Sequence, residues 1–195
     1  MKTFFTNIKI SIFTFFVLLL ICGLIYPLVL TGIGQLFFPY QANGSLVKLD
    51  GKVVGSAIVG QKFTSDYFLQ SRPSANDYYQ LDDKGNVNYS LSNLGPSSDE
   101  LKNRYTKDIA LFLDKNPSVD LASVPSDLFT ASGSSLDPHI YLQSALVQLD
   151  RIALASKIDK GTLEDIVNKH VIRNSDNSEI VNVLLVNNEI ASLMK

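Results

Sequence analysis

The sequence is poor in the residues that make covalent cross-links and metal sites. It contains one cysteine, Cys22, and two histidines, His139 and His170. A single thiol cannot form a disulfide within the chain, so packing must hold any folded domain together. With one thiol and two imidazoles, the sequence also argues against a dedicated zinc site.

Motifs of nucleotide-binding and hydrolytic enzymes are also missing. The sequence has neither a Gly-x-x-x-x-Gly-Lys-Ser/Thr loop nor a Gly-x-Gly-x-x-Gly turn, the glycine-rich elements that hold phosphates. It has no Asp-Lys-Thr-Gly phosphorylation sequence and no Gly-x-Ser-x-Gly elbow. These absences argue that the chain does not hydrolyse ATP by itself.

Charge is absent from residues 10–47, and residues 10–30 are strongly apolar. A helix of about 20 residues crosses roughly 30 Å of hydrocarbon and satisfies its own backbone hydrogen bonds. A cleaved signal peptide is the alternative, but the run is too long for one and Tyr26-Pro27-Leu28 follows where small residues are needed. The sequence therefore predicts a transmembrane helix at residues 10–30. No second span is present, and one helix cannot enclose a pore.

The basic residues flanking this helix predict its orientation. Lys2 and Lys9 precede it, and the next Lys or Arg is Lys48. The positive-inside rule places residues 1–9 in the cytoplasm and the rest of the chain outside. Residues 31–44 then form a membrane-exit segment with interfacial aromatics, and residues 45–195 form one extracytoplasmic domain.

The predicted domain carries a mildly negative charge. All 19 acidic residues follow the apolar run, with 15 of the 17 basic residues, since only Lys2 and Lys9 precede it. This balance argues against binding to nucleic acid.

Local patterns predict a mixed α+β domain. Asp50-Gly51 between two apolar runs is typical of a hairpin turn. Ser97 and Glu100 match a capping box for a helix that ends near Lys115. The predicted fold class is a single N-terminal transmembrane helix followed by one α+β extracytoplasmic domain. The predicted elements are strands at 45–49 and 52–59, helices at 98–115, 141–158 and 162–170, a strand at 179–186 and a helical turn at 187–193.

Residues 130–139 are the best candidate for an active site. They contain Ser132, Ser134 and Ser135 as possible nucleophiles, with His139 as a possible base, which would make the chain a membrane-anchored extracytoplasmic serine hydrolase. The simpler interpretation is that Asp137 caps the following helix, with Pro138 at its first position.

The irregular stretch at residues 61–96 is the other region that could carry function. Within it, Arg72 offers five donors beside a turn. Arg72 either recognises a partner or holds the loop by bonding its carbonyls.

Short motifs occur in order along nearly the whole chain. They are QLFFP and QANGS at 35–45, GS and GQ at 55–61, YF and RPSA at 67–75, SNLGPS at 92–97, VP and DL at 124–128, TASGS at 130–134, LDPHI at 136–140 and VNVL at 181–184. Together these motifs resemble the C subunit of the potassium-transporting Kdp ATPase, a bacterial P-type pump complex.

The resemblance implies an accessory subunit in the bacterial inner membrane, not an enzyme. Its implied partners are a channel-like potassium-binding subunit, a P-type ATPase subunit and a small single-span subunit, besides membrane lipid. It implies no cofactor of its own, since ATP and potassium are handled by the complex, and a role as a catalytic chaperone that raises the ATP affinity of the ATPase subunit. Because the domain is predicted outside, any such effect should be indirect. The candidate motif or partner-contact positions are Arg72, Asn93, Ser134, Asp137 and His139.

Overall fold

The computed structural model describes residues 2–75, 77–78, 80–81, 87–88 and 93–194. The chain divides into two compact units, Met1–Ser45 and Leu46–Lys195. The second unit combines helices with small antiparallel sheets. The predicted architecture, one N-terminal transmembrane helix followed by an α+β domain, is confirmed.

The first unit is a long apolar helix. It comprises α1 (Lys2–Leu20), a π-helical turn (Ile21–Ile25) and α2 (Tyr26–Phe37). The stretch Thr3–Phe37 is long and apolar enough to cross a membrane, and its apolar window is fully exposed. The helix therefore extends past both ends of the predicted 10–30 span.

Two prolines explain where this helix departs from regular α-helical geometry and where it ends. Pro27 has no N–H and its ring would clash with the carbonyl four residues earlier, so a wider turn immediately before it relieves the conflict. Pro39 opens a separate short helix, α3 (Pro39–Ala42). Gly44 follows α3 at φ 83°, a left-handed conformation that suits glycine.

The second unit opens with the predicted hairpin. Strands β1 (Leu46–Leu49) and β2 (Lys52–Ser56) are antiparallel. Asp50 and Gly51 have φ values of 51° and 78°, which is the pair of positive angles that a type I′ turn requires. Strand β2 ends three residues earlier than predicted.

Helix α4 (Asp99–Lys115) confirms the predicted helix, but its predicted cap is wrong by one residue. The Oγ atom of Ser98, not Ser97, accepts the Leu101 N–H at 3.4 Å. Ser98 donates its own N–H to the Gly95 carbonyl, so Ser97 lies in the preceding turn. Two residue pairs before α4 form the short antiparallel strands β3 (Gln80–Leu81) and β4 (Val87–Asn88).

The predicted helix at 141–158 is wrong as a single element. It consists of α5 (Leu142–Leu146) and α6 (Leu149–Ser156). The Gln148 backbone N–H bonds the Ala145 carbonyl, while its side-chain amide donates to the Ser144 carbonyl at 2.9 Å. This side chain replaces the helical backbone bond and allows the break.

The C-terminal part of the chain supplies a sheet and two helices. Helix α7 (Lys160–Lys169) ends where predicted, but Asp159 caps it, not Thr162. Strands β5 (His139–Tyr141), β7 (Glu179–Asn182) and β6 (Val171–Arg173) form an antiparallel sheet in that order. The predicted strand at 179–186 is correct for residues 179–182 and wrong for residues 183–186, because Asn182 caps α8 (Val183–Leu193).

The main hydrophobic core lies between this sheet and helices α5 to α8. A second cluster beneath α4 contains Phe112, Leu128 and Phe129. The buried members of the main core are Leu69, Ile140, Ala145, Leu149, Ile152, Leu163, Ile166, Val167, Val181, Val183, Val186 and Ile190.

Candidate functional site

Arg72 joins two loops that are far apart in sequence. Its Nη1 atom donates to Asp137 Oδ2 at 3.0 Å, and its Nε and Nη2 atoms donate to the Thr130 carbonyl at 3.3 Å. Both side chains of the ion pair are partly buried. Arg72 therefore bonds a backbone carbonyl, as one interpretation predicted, but that carbonyl and the Asp137 carboxylate both lie outside its own loop.

Asp137 does not cap a helix, so the predicted role is wrong. Residues 139–141 pair with β7, and the Pro138 carbonyl accepts the Val183 N–H at 3.0 Å. Sheet pairing has overridden the local Asp-Pro helix-start pattern. Asp137 Oδ1 instead accepts the His139 backbone N–H at 3.0 Å and lies 3.4 Å from His139 Nδ1.

The charge state of Asp137 follows from these contacts. Burial acts to raise its pKa, but hydrogen bonds from His139 and the Arg72 guanidinium outweigh burial and hold the pKa below its ordinary value. The carboxylate therefore stays ionised at neutral pH.

Gly60 brings a third segment against the same loop. Its N–H donates to the Leu136 carbonyl at 2.7 Å. A Cβ atom at this position would lie 2.6 Å from the Asp137 carbonyl oxygen, so only glycine allows this approach. Residues 60, 72, 130 and 136–139 therefore form one connected unit, which we name the loop junction.

The serines of this region hold a turn. Ser132 Oγ accepts the Asp137 N–H at 3.4 Å and lies 3.4 Å from Ser134 Oγ. Ser134 Oγ accepts the Leu136 N–H at 3.2 Å, and Ser132 and Ser135 are only 5% and 2% exposed. This arrangement is typical of a structural turn and gives no support to the serine hydrolase hypothesis.

A polar cavity of about 250 Å³ opens beside the loop junction. Its lining contains three carboxylates and one guanidinium, which already pairs with Asp137, so the donor set does not fit a triphosphate. Over the ranges that the structure describes, no set of three or more His, Cys, Asp or Glu side chains could hold a metal ion. The cavity is lined by Arg72, Asp127, Asp137, His139, Ile140, Tyr141, Asn174, Asp176, Ser178 and Ile180.

The structure brings together four of the five candidate positions. Arg72, Asp137 and His139 line the polar cavity, and Ser134 lies in the adjoining turn. Asn93 is exposed ahead of α4 and does not line the cavity.

Asp127 is a cavity residue that the sequence did not reveal. It is 4% exposed, and its carboxylate accepts the Tyr141 N–H at 2.9 Å and the Ser144 hydroxyl. It therefore holds the residue that precedes α5 and a hydroxyl in the first turn of that helix. Its separation of 14 residues from Tyr141 leaves no local capping pattern to recognise.

The sequence did not reveal a buried polar network either. Gln148 Oε1 accepts the Gln70 N–H at 2.8 Å, and Arg151 Nη1 donates to the Phe68 carbonyl at 3.1 Å. Burial lowers the pKa of Arg151 to about 10, so its guanidinium remains charged at neutral pH. The available signal was a polar side chain, Gln148, inside an otherwise apolar helical stripe.

Comparisons with known proteins place these features in a family. A family model described as "KdpC: K+-transporting ATPase, c chain" matches residues 8–192. A protein of Clostridium kluyveri named potassium-transporting ATPase KdpC subunit is 46% identical, over 98% of this chain and 96% of its own length. Proteins of the same name from Clostridioides difficile and Pseudomonas aeruginosa are 41% and 39% identical, covering 100% and 98% of this chain and 99% and 100% of theirs.

The match includes both the apolar helix and the domain that carries the loop junction. At this identity and coverage, the similarity extends to the whole architecture and not to one motif. The chain belongs to the KdpC family, the c chain of K+-transporting ATPases.

Proposed function

We propose that this chain is a non-catalytic subunit of an ATP-driven, high-affinity potassium uptake complex in the bacterial inner membrane. The observation that carries the proposal is a family match that runs through helix and domain together, from residue 8 to residue 192. The relatives are named as potassium-transporting ATPase subunits. The proposed partners are a channel-like potassium-binding subunit, a P-type ATPase subunit and a small single-span subunit.

The proposed orientation puts the N-terminus in the cytoplasm and the α+β domain outside. The support is the asymmetry of basic residues, with Lys2 and Lys9 before the apolar helix and the next one only at Lys48. In this orientation, the domain and cytoplasmic ATP are on opposite sides of the bilayer.

Any effect on the ATP affinity of the ATPase subunit would then be a coupling free energy transmitted through the complex. Such coupling is reciprocal, so ATP binding would also tighten the association of this subunit. The acidic lining of the polar cavity supports the indirect mechanism over direct contact with a triphosphate.

The loop junction is our proposed contact region for a partner subunit. Arg72 and Gly60 fix the shape of these loops before any partner arrives, which reduces the ordering cost of association. Tyr141, at the edge of the cavity, is 46% exposed and offers an amphipathic side chain of the kind enriched at interfaces.

Cysteine labelling in intact cells tests the orientation. In a Cys22→Ser background, Leu154→Cys introduces a thiol at a side chain that is 85% exposed in the domain. A membrane-impermeant maleimide should label it in intact cells, whereas the matched Thr3→Cys variant should react only after lysis. The opposite pattern would refute the topology and restore direct ATP contact as a mechanism.

Co-purification tests membership of the complex. A tagged chain should retain a potassium-binding membrane subunit and an ATPase subunit in mild detergent. Isolation of the chain alone, from cells that make all the subunits, would contradict the proposal.

A further inference from the structure

The β1–β2 hairpin presents an apolar face to solvent. Lys48 pairs with Val53 across the hairpin, and Leu46 lies on the same face as Lys48 because side chains alternate along a strand. Leu46 and Val53 are 45% and 54% exposed, whereas Val47 on the opposite face is 7% exposed. The hairpin therefore packs one face on the domain and leaves two aliphatic side chains uncovered on the other.

A basic side chain accompanies these aliphatic ones. Lys48 is exposed on the same face, whereas Lys52 pairs with Leu49 and lies on the face of Val47. Asp50 in the turn is the one acidic residue of the hairpin. A β-bulge at the Val47/Lys48 position adds Val54, which is 36% exposed. An exposed surface that mixes aliphatic and cationic groups is suited to the boundary between lipid headgroups and acyl chains.

The covalent chain sets an upper bound on the distance between this hairpin and the end of the apolar helix. Only residues 39–45 separate Phe38 from Leu46, which limits the distance between them to roughly 28 Å even for a fully extended chain. Part of that connection is helical, which shortens it. Phe37, Phe38 and Tyr40 are exposed aromatics of the kind that lie at the headgroup level.

We infer that the β1–β2 hairpin rests on the bilayer surface, with Leu46 and Val53 at the acyl boundary and Lys48 near the phosphates of anionic lipids. The inference rests on the apolar helix spanning the bilayer, but not on potassium uptake. A lysine near an anionic surface contributes favourably, and the aliphatic groups add burial. The hairpin would act as a second membrane contact that limits the tilt of the domain over the membrane.

Spin labelling of the full chain in vesicles tests this contact. Cys22 is the only cysteine, so its label reports directly on the apolar helix. In a Cys22→Ser background, Val53→Cys and Leu46→Cys report on the hairpin, and Leu154→Cys is the aqueous reference because that residue is 85% exposed. The accessibility of each label to oxygen and to a water-soluble nickel chelate is compared in vesicles of phosphatidylglycerol and phosphatidylcholine.

We expect the Val53 and Leu46 labels to show an oxygen-to-nickel accessibility ratio several-fold above that of the Leu154 label, between the aqueous and the Cys22 values. Adding Lys48→Glu should lower this ratio toward the aqueous value, whereas Lys52→Glu, on the opposite face of the hairpin, should lower it less. If the Cys22 label is membrane-embedded while both hairpin labels match Leu154, the hairpin contact is refuted and the anchor stands. A Cys22 label that is exposed to water would refute both the membrane anchor and the hairpin contact.

A second copy of the chain is the competing occupant of this face. Diluting the protein in lipid separates the two cases, because contact with lipid is independent of protein density. Protection of the Val53 label that disappears at a high lipid-to-protein ratio would overturn the inference in favour of self-association.

Discussion

The side-chain amide of Asn187 pairs with the backbone of Leu69 as a β-strand would. Asn187 Oδ1 accepts the Leu69 N–H at 2.8 Å, and its Nδ2 donates to the Leu69 carbonyl at 2.9 Å. The two residues are 118 positions apart, and both are buried. One amide on α8 therefore satisfies both backbone groups of a buried residue that belongs to no strand or helix.

Replacing Asn187 with Leu should destabilise the domain. The substitution leaves the buried N–H and carbonyl of Leu69 without partners, and we expect a loss of about 2–4 kcal/mol in the free energy of unfolding. The matched control is Asn168→Leu, at an exposed position on α7. Urea unfolding of the full chain in detergent checks the prediction, and equal midpoints for the two variants would contradict it.

Gly60→Ala should disturb the loop junction. The added Cβ would lie 2.6 Å from the Asp137 carbonyl, and relief of this overlap should cost about 1–3 kcal/mol. Gly133→Ala is the control, because a Cβ there meets nothing within 4 Å. Thermal unfolding of both variants measures the difference, and a Gly60→Ala protein as stable as Gly133→Ala would show that the close approach is not required.

The ionisation of Asp137 should make the stability of the domain depend on acid pH. Since its folded-state pKa lies below the unfolded value, the carboxylate contributes stability above the unfolded pKa of about 3.9, and that contribution is lost as the pH falls through the folded pKa. Arg72→Gln removes one of the groups that lower this pKa, so acid unfolding should begin at a higher pH.

Circular dichroism across an acid titration measures this shift. Arg173→Gln is the control, because Arg173 pairs with Glu179 at an exposed position where ion pairs contribute little. An unchanged acid midpoint in Arg72→Gln would mean that the guanidinium does not stabilise the ionised Asp137.

Ser134→Ala and His139→Ala should leave ATP turnover of the assembled complex within about twofold of the wild type. Loss of a general acid or base typically lowers a rate by about 100- to 10,000-fold, so a drop of that size in a normally assembled complex would contradict a non-catalytic role. Labelling with a serine-directed phosphonate adds an independent check. Specific modification of Ser132, Ser134 or Ser135 would favour the hydrolase hypothesis.

Local signals predicted the elements whose structure depends on nearby residues. The type I′ turn at Asp50-Gly51 was recognisable because positive φ angles strongly favour glycine. The apolar spacing of α4 also predicted its length and its end at Lys115. In both elements, one short segment contains the residues that determine its conformation.

The caps of α4 and α7 were wrong by one to three residues, but the larger errors occurred where distant segments decide the local structure. Asp137-Pro138 reads as a helix start, but pairing with β7 makes residues 139–141 a strand. The break between α5 and α6 depends on Gln148, whose amide also serves residue 70 far away in sequence. Four residues of the candidate site were identifiable from the sequence, but Asp127 was not, nor was the connection from Arg72 to Asp137 across 65 positions.

The π-helical turn at Ile21–Ile25 changes how the faces of the membrane helix relate to each other. Such a turn holds one more residue than a regular α-helical stretch, and each residue occupies about 100° around the helix axis. Side chains of α1 and α2 that a regular helical wheel would align are therefore offset by about that angle. A single straight partner helix would therefore contact different helical-wheel positions on α1 and on α2. Deletion of one residue from the π-helical turn would rotate one of these two contact surfaces away from the partner helix.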